Sequence, residues 1–81
     1  MPIKYSYDLW ETIRFERDTR YYILALEQDL FGHWVITRAN GKIGAALGQI
    51  RNIFSGDYQD AIKKLQELKR HRLRKHYQIQ G

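Results

Sequence analysis

The stretch Tyr21-Tyr22-Ile23-Leu24-Ala25-Leu26 is apolar on both sides of an extended chain, which is how the central strand of a sheet reads. Asp29-Leu30-Phe31-Gly32 breaks that run, and Trp34 to Arg38 follows as a short segment rich in strand formers. Asn40-Gly41 is a strong short hairpin signal, because a type I′ turn needs positive φ at both central residues. The reading therefore turns the chain there and expects Ile43 to Leu47, loosened by Gly44 and Gly48, as the return strand. Gln49 to Phe54 alternates again, but Ile50 and Ile53 stand in opposite phase, so its strand signal is weaker.

Working outward, Ile3, Tyr5 and Tyr7 alternate with Lys4 and Ser6, and the reading expects a half-buried first strand over residues 3–7. Ile13 and Phe15 point to a second strand, and Glu16 to Arg20 is charged and turn-like. After Phe54 the period changes. Tyr58, Ala61, Ile62, Leu65, Leu68 and Leu73 recur at three- and four-residue steps, the stripe of an amphipathic helix. Asp57 is the expected N-cap, with Ser55 as its competitor. Asp60 to Lys64 and Glu67 to His71 are helpfully oriented (i, i+4) pairs, worth a few tenths of a kcal/mol each. The expected architecture is α+β: a small antiparallel sheet of about four or five strands with one C-terminal amphipathic helix packed on it.

The chain has 81 residues and no cysteine, and its 14 Lys and Arg against 9 Asp and Glu give a formal net charge of +5. One domain over residues 1–81 is expected from that length, with a modest core. No apolar run approaches the roughly 20 residues that cross a bilayer, and the first residues lack a secretory h-region. No thiol chemistry and no disulfide framework are available, and a cytoplasmic location is expected. The chain reads as a small basic module without a membrane partner.

Catalysis finds little to work with. Nucleophilic chemistry lacks a cysteine, and the three histidines, His33, His71 and His76, are scattered. On a helix, His71 and His76 would point roughly 140° apart, so a shared metal is not expected. His33 reads more simply as a turn residue beside Phe31 and Trp34. The segment Gly41-Lys42-Ile43-Gly44-Ala45-Ala46-Leu47-Gly48 lacks the spacing and strand-to-helix context of a phosphate loop, and its glycines read as hairpin and bulge positions. The expectation is a non-enzyme with no cofactor and no metal.

Charge is more informative. Lys69, Arg70, Arg72, Arg74 and Lys75 crowd the end of the helix, and no acid follows Glu67. Such a run also complements the helix dipole, so alone it describes a solvated helix end. Arg38 and Lys42 flank Asn40-Gly41, and Arg51 lies on the next strand, so a hairpin there would gather all three at one sheet edge. Backbone charge of this kind supplies most non-specific nucleic-acid affinity through counterion release. Trp34 is able to stack on a base, but its place between apolar neighbours makes it a core residue, as are Trp10 and the Tyr21-Tyr22 pair.

The order of Arg20-Tyr21-Tyr22, Leu30-Phe31-Gly32-x-Trp34, Arg38, Gly41-Lys42-Ile43-Gly44, Gly48-Gln49, Ala61 and a basic stretch to Tyr77 resembles the WGR domain. That family is named for a Trp-Gly-Arg motif and occurs in poly(ADP-ribose) polymerases and in short stand-alone bacterial proteins. The resemblance runs over residues 10–77 and implies a small antiparallel sheet with a helix packed on it. In the polymerases the domain helps recognise DNA at strand breaks. There the motif Trp contacts the backbone near the break, and the motif Arg joins DNA and neighbouring-domain contacts. The naming positions fall on Asn40, Gly41 and Lys42. Asn40 keeps hydrogen-bonding capacity without the stacking surface, and Lys42 keeps the charge without the bidentate fork. The length leaves no room for a polymerase catalytic domain, so ADP-ribosyl transfer is not implied.

Two functions are weighed. The first is a stand-alone, non-catalytic module that binds nucleic acid, duplex DNA above all, through Arg38, Asn40, Lys42, Arg51, Lys69, Arg70, Arg72, Arg74 and Lys75. The second is a protein-interaction module, an adaptor or homo-oligomer using its sheet edge or helix, without nucleic-acid binding.

Overall fold

The computed structural model describes residues 4–46 and 48–80. Five strands, β1 (Glu11–Arg17), β2 (Arg20–Gln28), β3 (Trp34–Lys42), β4 (Gln49–Gly56) and β5 (Gln78–Gln80), form one sheet in the order β4-β3-β2-β1-β5. Every pairing is antiparallel. One helix, α1 (Tyr58–Arg74), crosses a single face. The α+β class holds, and β2 is indeed the central strand.

Successive strand residues point to opposite faces and directly paired residues share one. On β2 and β3 the helix-facing pairs are Arg20↔Lys42, Tyr22↔Asn40, Leu24↔Arg38, Leu26↔Ile36 and Gln28↔Trp34. Ile13 and Phe15 join them from β1, Ala61 and Leu65 press down from α1, and Tyr77 closes the core from the segment before β5. Phe15, Leu24, Leu26, Ile36 and Leu65 are fully buried. Burying each such side chain contributes about 1.5–3 kcal/mol. Trp34 is a core residue, its ring packed edge-on against Tyr58 at 4.8 Å. Tyr22 is buried, whereas Trp10 and Tyr21 are half-buried.

Asp57 is the N-cap, its carboxylate accepting from the Asp60 amide at 2.8 Å. Ser55 lies in β4 instead. Lys64 pairs with Glu67 at 3.7 Å, one turn further on, rather than with Asp60. Leu73 leaves the expected stripe and is 44% exposed, because Arg72 takes the sheet-facing position one turn past Leu68 and lies over Tyr22.

Several expectations are corrected. No strand covers the described part of residues 3–7: Lys4 to Ser6 are irregular, Tyr7–Leu9 is a short 3-10 helix, and Ile3 lies outside the described residues. Side chains hold this segment in place of a ladder. Gln28 Oε1 accepts from the Ser6 amide at 2.7 Å and from Trp10 Nε1 at 3.2 Å, and the Tyr7 and Trp10 rings meet at 4.7 Å. The fifth strand is β5, which follows α1 and pairs with β1, so the helix is not the last element.

Asn40-Gly41 is not a hairpin turn. Both residues sit inside β3, opposite Tyr22 and Tyr21, because β2 is long enough to carry the ladder to Arg20↔Lys42. Neither has positive φ; the chain turns later, at Gly44, whose φ is 85°. Residues 43–46 are therefore turn and loop rather than a return strand, Leu47 lies outside the described residues, and β4 is the return strand. Gly41 and Gly48 serve close approach. A Cβ on Gly41 would stand 2.9 Å from the Tyr21 hydroxyl, and one on Gly48 would stand 2.5 Å from it and 2.6 Å from the Asn40 carbonyl oxygen. The opposed phase of Ile50 and Ile53 is a β-bulge. Ile36 pairs with Phe54 but Thr37 pairs with Asn52, so Ile53 is the extra residue. Ile50 faces away from the helix, and beyond the bulge Phe54 faces it.

Candidate nucleic-acid interface

The helix-facing positions of β3 read Trp34, Ile36, Arg38, Asn40, Lys42, and those of β2 read Leu26, Leu24, Tyr22, Arg20. Alternation continues unbroken, but the residue type changes at the Leu24↔Arg38 rung. Past that rung the sheet opens into a hollow of about 490 Å³ lined by Arg20, Tyr22, Arg38, Asn40, Lys42 and Arg72, together with Tyr77 and the β1–β2 turn.

The end of α1 builds one wall. His76 takes a positive φ of 67°. The Tyr77 amide donates back to the Arg72 carbonyl at 3.2 Å, a helix-ending turn that lowers the Tyr77 ring into the core. The Arg72 guanidinium lies over the Tyr22 ring at 3.8 Å and 5.3 Å from the Tyr77 ring. Arg17 also lies over the Tyr77 ring, at 5.0 Å, and donates to the Lys75 carbonyl at 2.7 Å. Contacts of this type contribute about 0.5–2 kcal/mol and fix both guanidinium planes. On the opposite rim the Ile43 amide donates to the Thr19 carbonyl at 2.7 Å, tying the β3–β4 loop to the β1–β2 turn.

The charges are not neutralised locally. Among the described residues the ion pairs are Arg14–Glu16, His33–Asp29 and Lys64–Glu67, so Arg20, Arg38, Lys42 and Arg72 have no carboxylate partner. Arg38 also faces Arg51 directly across the β3–β4 ladder. Arg38 Nε and Asn40 Oδ1 are buried without hydrogen-bond partners. Each such atom costs about 1–3 kcal/mol, so neither is placed for the stability of the fold.

Of the residues singled out by sequence, Arg38, Asn40, Lys42 and Arg72 come together at the hollow. Arg51 lies beside it on the edge strand β4, reached by strand pairing rather than by a hairpin at Asn40-Gly41. Arg74 and Lys75 are exposed near the end of α1. Lys69 is half-buried, and Arg70 lines a separate groove with Phe54 on the other flank of the helix. The reading missed Arg20, Tyr22 and Tyr77 as wall and floor. The signal for Arg20 was present: a strand starting before Tyr21 carries it onto the face of Tyr22 and Leu24.

Among the described residues no group of His, Asp or Glu is arranged to hold a metal, and no helix is long and apolar enough to cross a membrane. The family model described as the WGR domain matches residues 9–81. No curated protein and no solved structure matches the chain. The chain therefore belongs to the WGR domain family. That domain is a binding module rather than a catalytic one, linked to nucleic-acid binding in poly(ADP-ribose) polymerases.

Proposed function

We propose that this WGR chain is a stand-alone, non-catalytic module that binds the phosphate backbone of duplex DNA in the hollow at the end of its sheet. The observation that carries the reading is the convergence of Arg20, Arg38, Lys42 and Arg72 on one concavity without a carboxylate partner among the described residues. Like charges gathered this way oppose folding slightly and favour an anion. Arg72, stacked on Tyr22, is pre-ordered for such contact, and Lys42 reaches in as a flexible point charge. Arg51, paired with Arg38, and the exposed Arg74 and Lys75 at the end of α1 add positive charge outside the hollow. Asn40 contributes a polar group instead of a stacking ring, so the expected contact is electrostatic with little sequence readout.

The test is fluorescence anisotropy of a labelled blunt duplex at about 50 and about 200 mM salt, with closed-circular DNA as competitor. With about six phosphates neutralised, log K falls against log salt with a slope of roughly −5. A slope near about −1 overturns the charge mechanism. Survival of binding against the circle assigns an end-recognition role despite Asn40. No binding at low salt leaves the second reading, a protein-interaction module, which the departures from the family motif at Asn40 and Lys42 favour.

A further inference from the structure

The opposite end of the molecule carries a surface that nucleic-acid binding does not use. The β2–β3 connection, residues 29–33, presents Leu30 and Phe31 at 83% and 75% exposure. Neither packs into the core, yet the loop that holds them is heavily braced. Asp29 Oδ1 accepts from the Phe31 and His33 amides, each at 2.9 Å, and the Asp29 amide donates to the His33 carbonyl at 2.9 Å. Gln28 Nε2 donates to the Gly32 carbonyl at 3.2 Å, and the Tyr5 hydroxyl donates to the Leu30 carbonyl at 3.2 Å. Tyr5 stacks on the 65%-exposed Tyr7 with ring centroids 5.7 Å apart, so the apolar surface continues past the loop. Single exposed apolar residues are ordinary, but an adjacent pair on a braced loop joined to a third is a patch. Its rigidity lowers the entropy lost on docking.

Charge selects the occupant. Glu11 and Glu27 stand at this end of β1 and β2, and Asp8 and Asp29 lie in the adjoining segments, against Lys4 and against His33, which is 3.7 Å from Asp29; this end is therefore rich in carboxylates in a chain that is +5 overall. Packing two such patches together sets like charges against each other. An anionic lipid surface is disfavoured for the same reason. A complementary surface exists on the chain itself. A groove of about 590 Å³ along the outer flank of α1 has Phe54 and Ile62 in its floor, with Lys63, Lys64 and Arg70 on its rim against Asp60 and Glu67. The geometry points to self-association in which Leu30 and Phe31 of one copy seat in the Phe54–Ile62 groove of a second copy. The contact is heterologous, joining two different surfaces, so it builds chains unless the rotation closes. Neither surface shares a residue with the basic hollow, and the contact does not rest on the nucleic-acid reading.

Sedimentation velocity of the full chain over about a hundredfold concentration range tests this, with two variants. Leu30→Ser with Phe31→Ser removes the prong, and Lys63→Glu with Arg70→Glu reverses the rim; all four residues lie outside the core, and circular dichroism confirms folding. The wild type is expected to sediment faster as concentration rises, and each double variant to associate at least about tenfold more weakly. A mixture of the two variants is expected to form a one-to-one complex, because each keeps the half the other lacks. A monomer at every concentration overturns the proposal. So does association that survives loss of the prong, which assigns the contact to the β4 edge. Failure of the mixture to associate also overturns it.

Discussion

The two ends of the β2–β3 ladder share a sheet face, a register and an overlying helix, yet they do opposite things. At one end Leu24, Leu26, Ile36 and Trp34 fill the helix-facing positions, closed by Ala61, Leu65 and Tyr58, with Gln28 the one polar group at the last rung. From Tyr22 to Lys42 they are aromatic, amide and cationic, and only Arg72 and Tyr77 reach over them. The ladder is longer than the core it supports. A small domain needs strands long enough to pair, and the excess length is a ready scaffold for side chains such as Arg20 and Lys42, which stay exposed and add nothing to the core. On the proposed function, stability and recognition are thereby separated along one pair of strands.

The largest effect expected from that separation is in the closed half. Leu65→Ala empties a fully buried site beneath α1, and its cost is about 2–5 kcal/mol by urea denaturation. A chain of this length has a total stability on the order of 4–12 kcal/mol, so a large share is lost. DNA affinity, measured under conditions where the variant remains folded, is expected to stay within about twofold, since Leu65 does not line the hollow. A parallel loss of affinity in the folded variant would mean that the two halves are coupled through the helix.

Gly48→Ala is next. Its Cβ would meet the Asn40 carbonyl oxygen at 2.6 Å and the Tyr21 hydroxyl at 2.5 Å, both in the wall of the open half. Backbone is not free to yield like the tip of a side chain, so the expected cost is about 1–3 kcal/mol. Hydrogen exchange should locate the loosening in β3–β4 rather than in α1. Protection lost evenly over the whole chain would show that the open end is as cooperative as the core.

How far all this was legible follows from the kind of information each element needs. Tyr21–Leu26 and the Tyr58–Leu68 stripe announce themselves because burial is written into local periodicity. The same local logic failed at Asn40-Gly41, a pair that turns a chain when it is free to do so. Here nine consecutive rungs against β2 hold it extended, and the glycine is required by the Tyr21 ring that lies over it. Non-local pairing outweighed turn propensity. The bulge at Ile53 was visible as a phase conflict, but only the register with Thr37 and Ile36 explains it. The β5 strand is three residues long, too short for any pattern to show. For the site, Arg38, Asn40, Lys42 and Arg72 were legible as charge and as family motif. Arg20 was legible by alternation once the strand is started before Tyr21, whereas Tyr77 needed the helix-ending turn at His76, which no spacing rule reveals.

The smallest effect on stability, and the sharpest test of the separation, contrasts two cations in the same hollow. Lys42 is exposed at the end of β3, lines the hollow and is absent from the core. Lys42→Glu is expected to leave stability within about 0.5 kcal/mol while weakening DNA binding across all sequences alike. Arg72 stands on the border, because its guanidinium covers the Tyr22 ring at 3.8 Å and so joins the fold as well as the hollow. Arg72→Lys keeps the charge but gives up the flat stacked group, so stability should fall by about 0.5–1 kcal/mol. The salt slope of binding should change little, because the number of cations facing phosphate is the same. Paired urea melts and salt titrations of the two variants read both quantities. If Lys42→Glu proves the more destabilising of the two, the boundary between core and site does not lie at Arg72, and the open half of the ladder supports the fold after all.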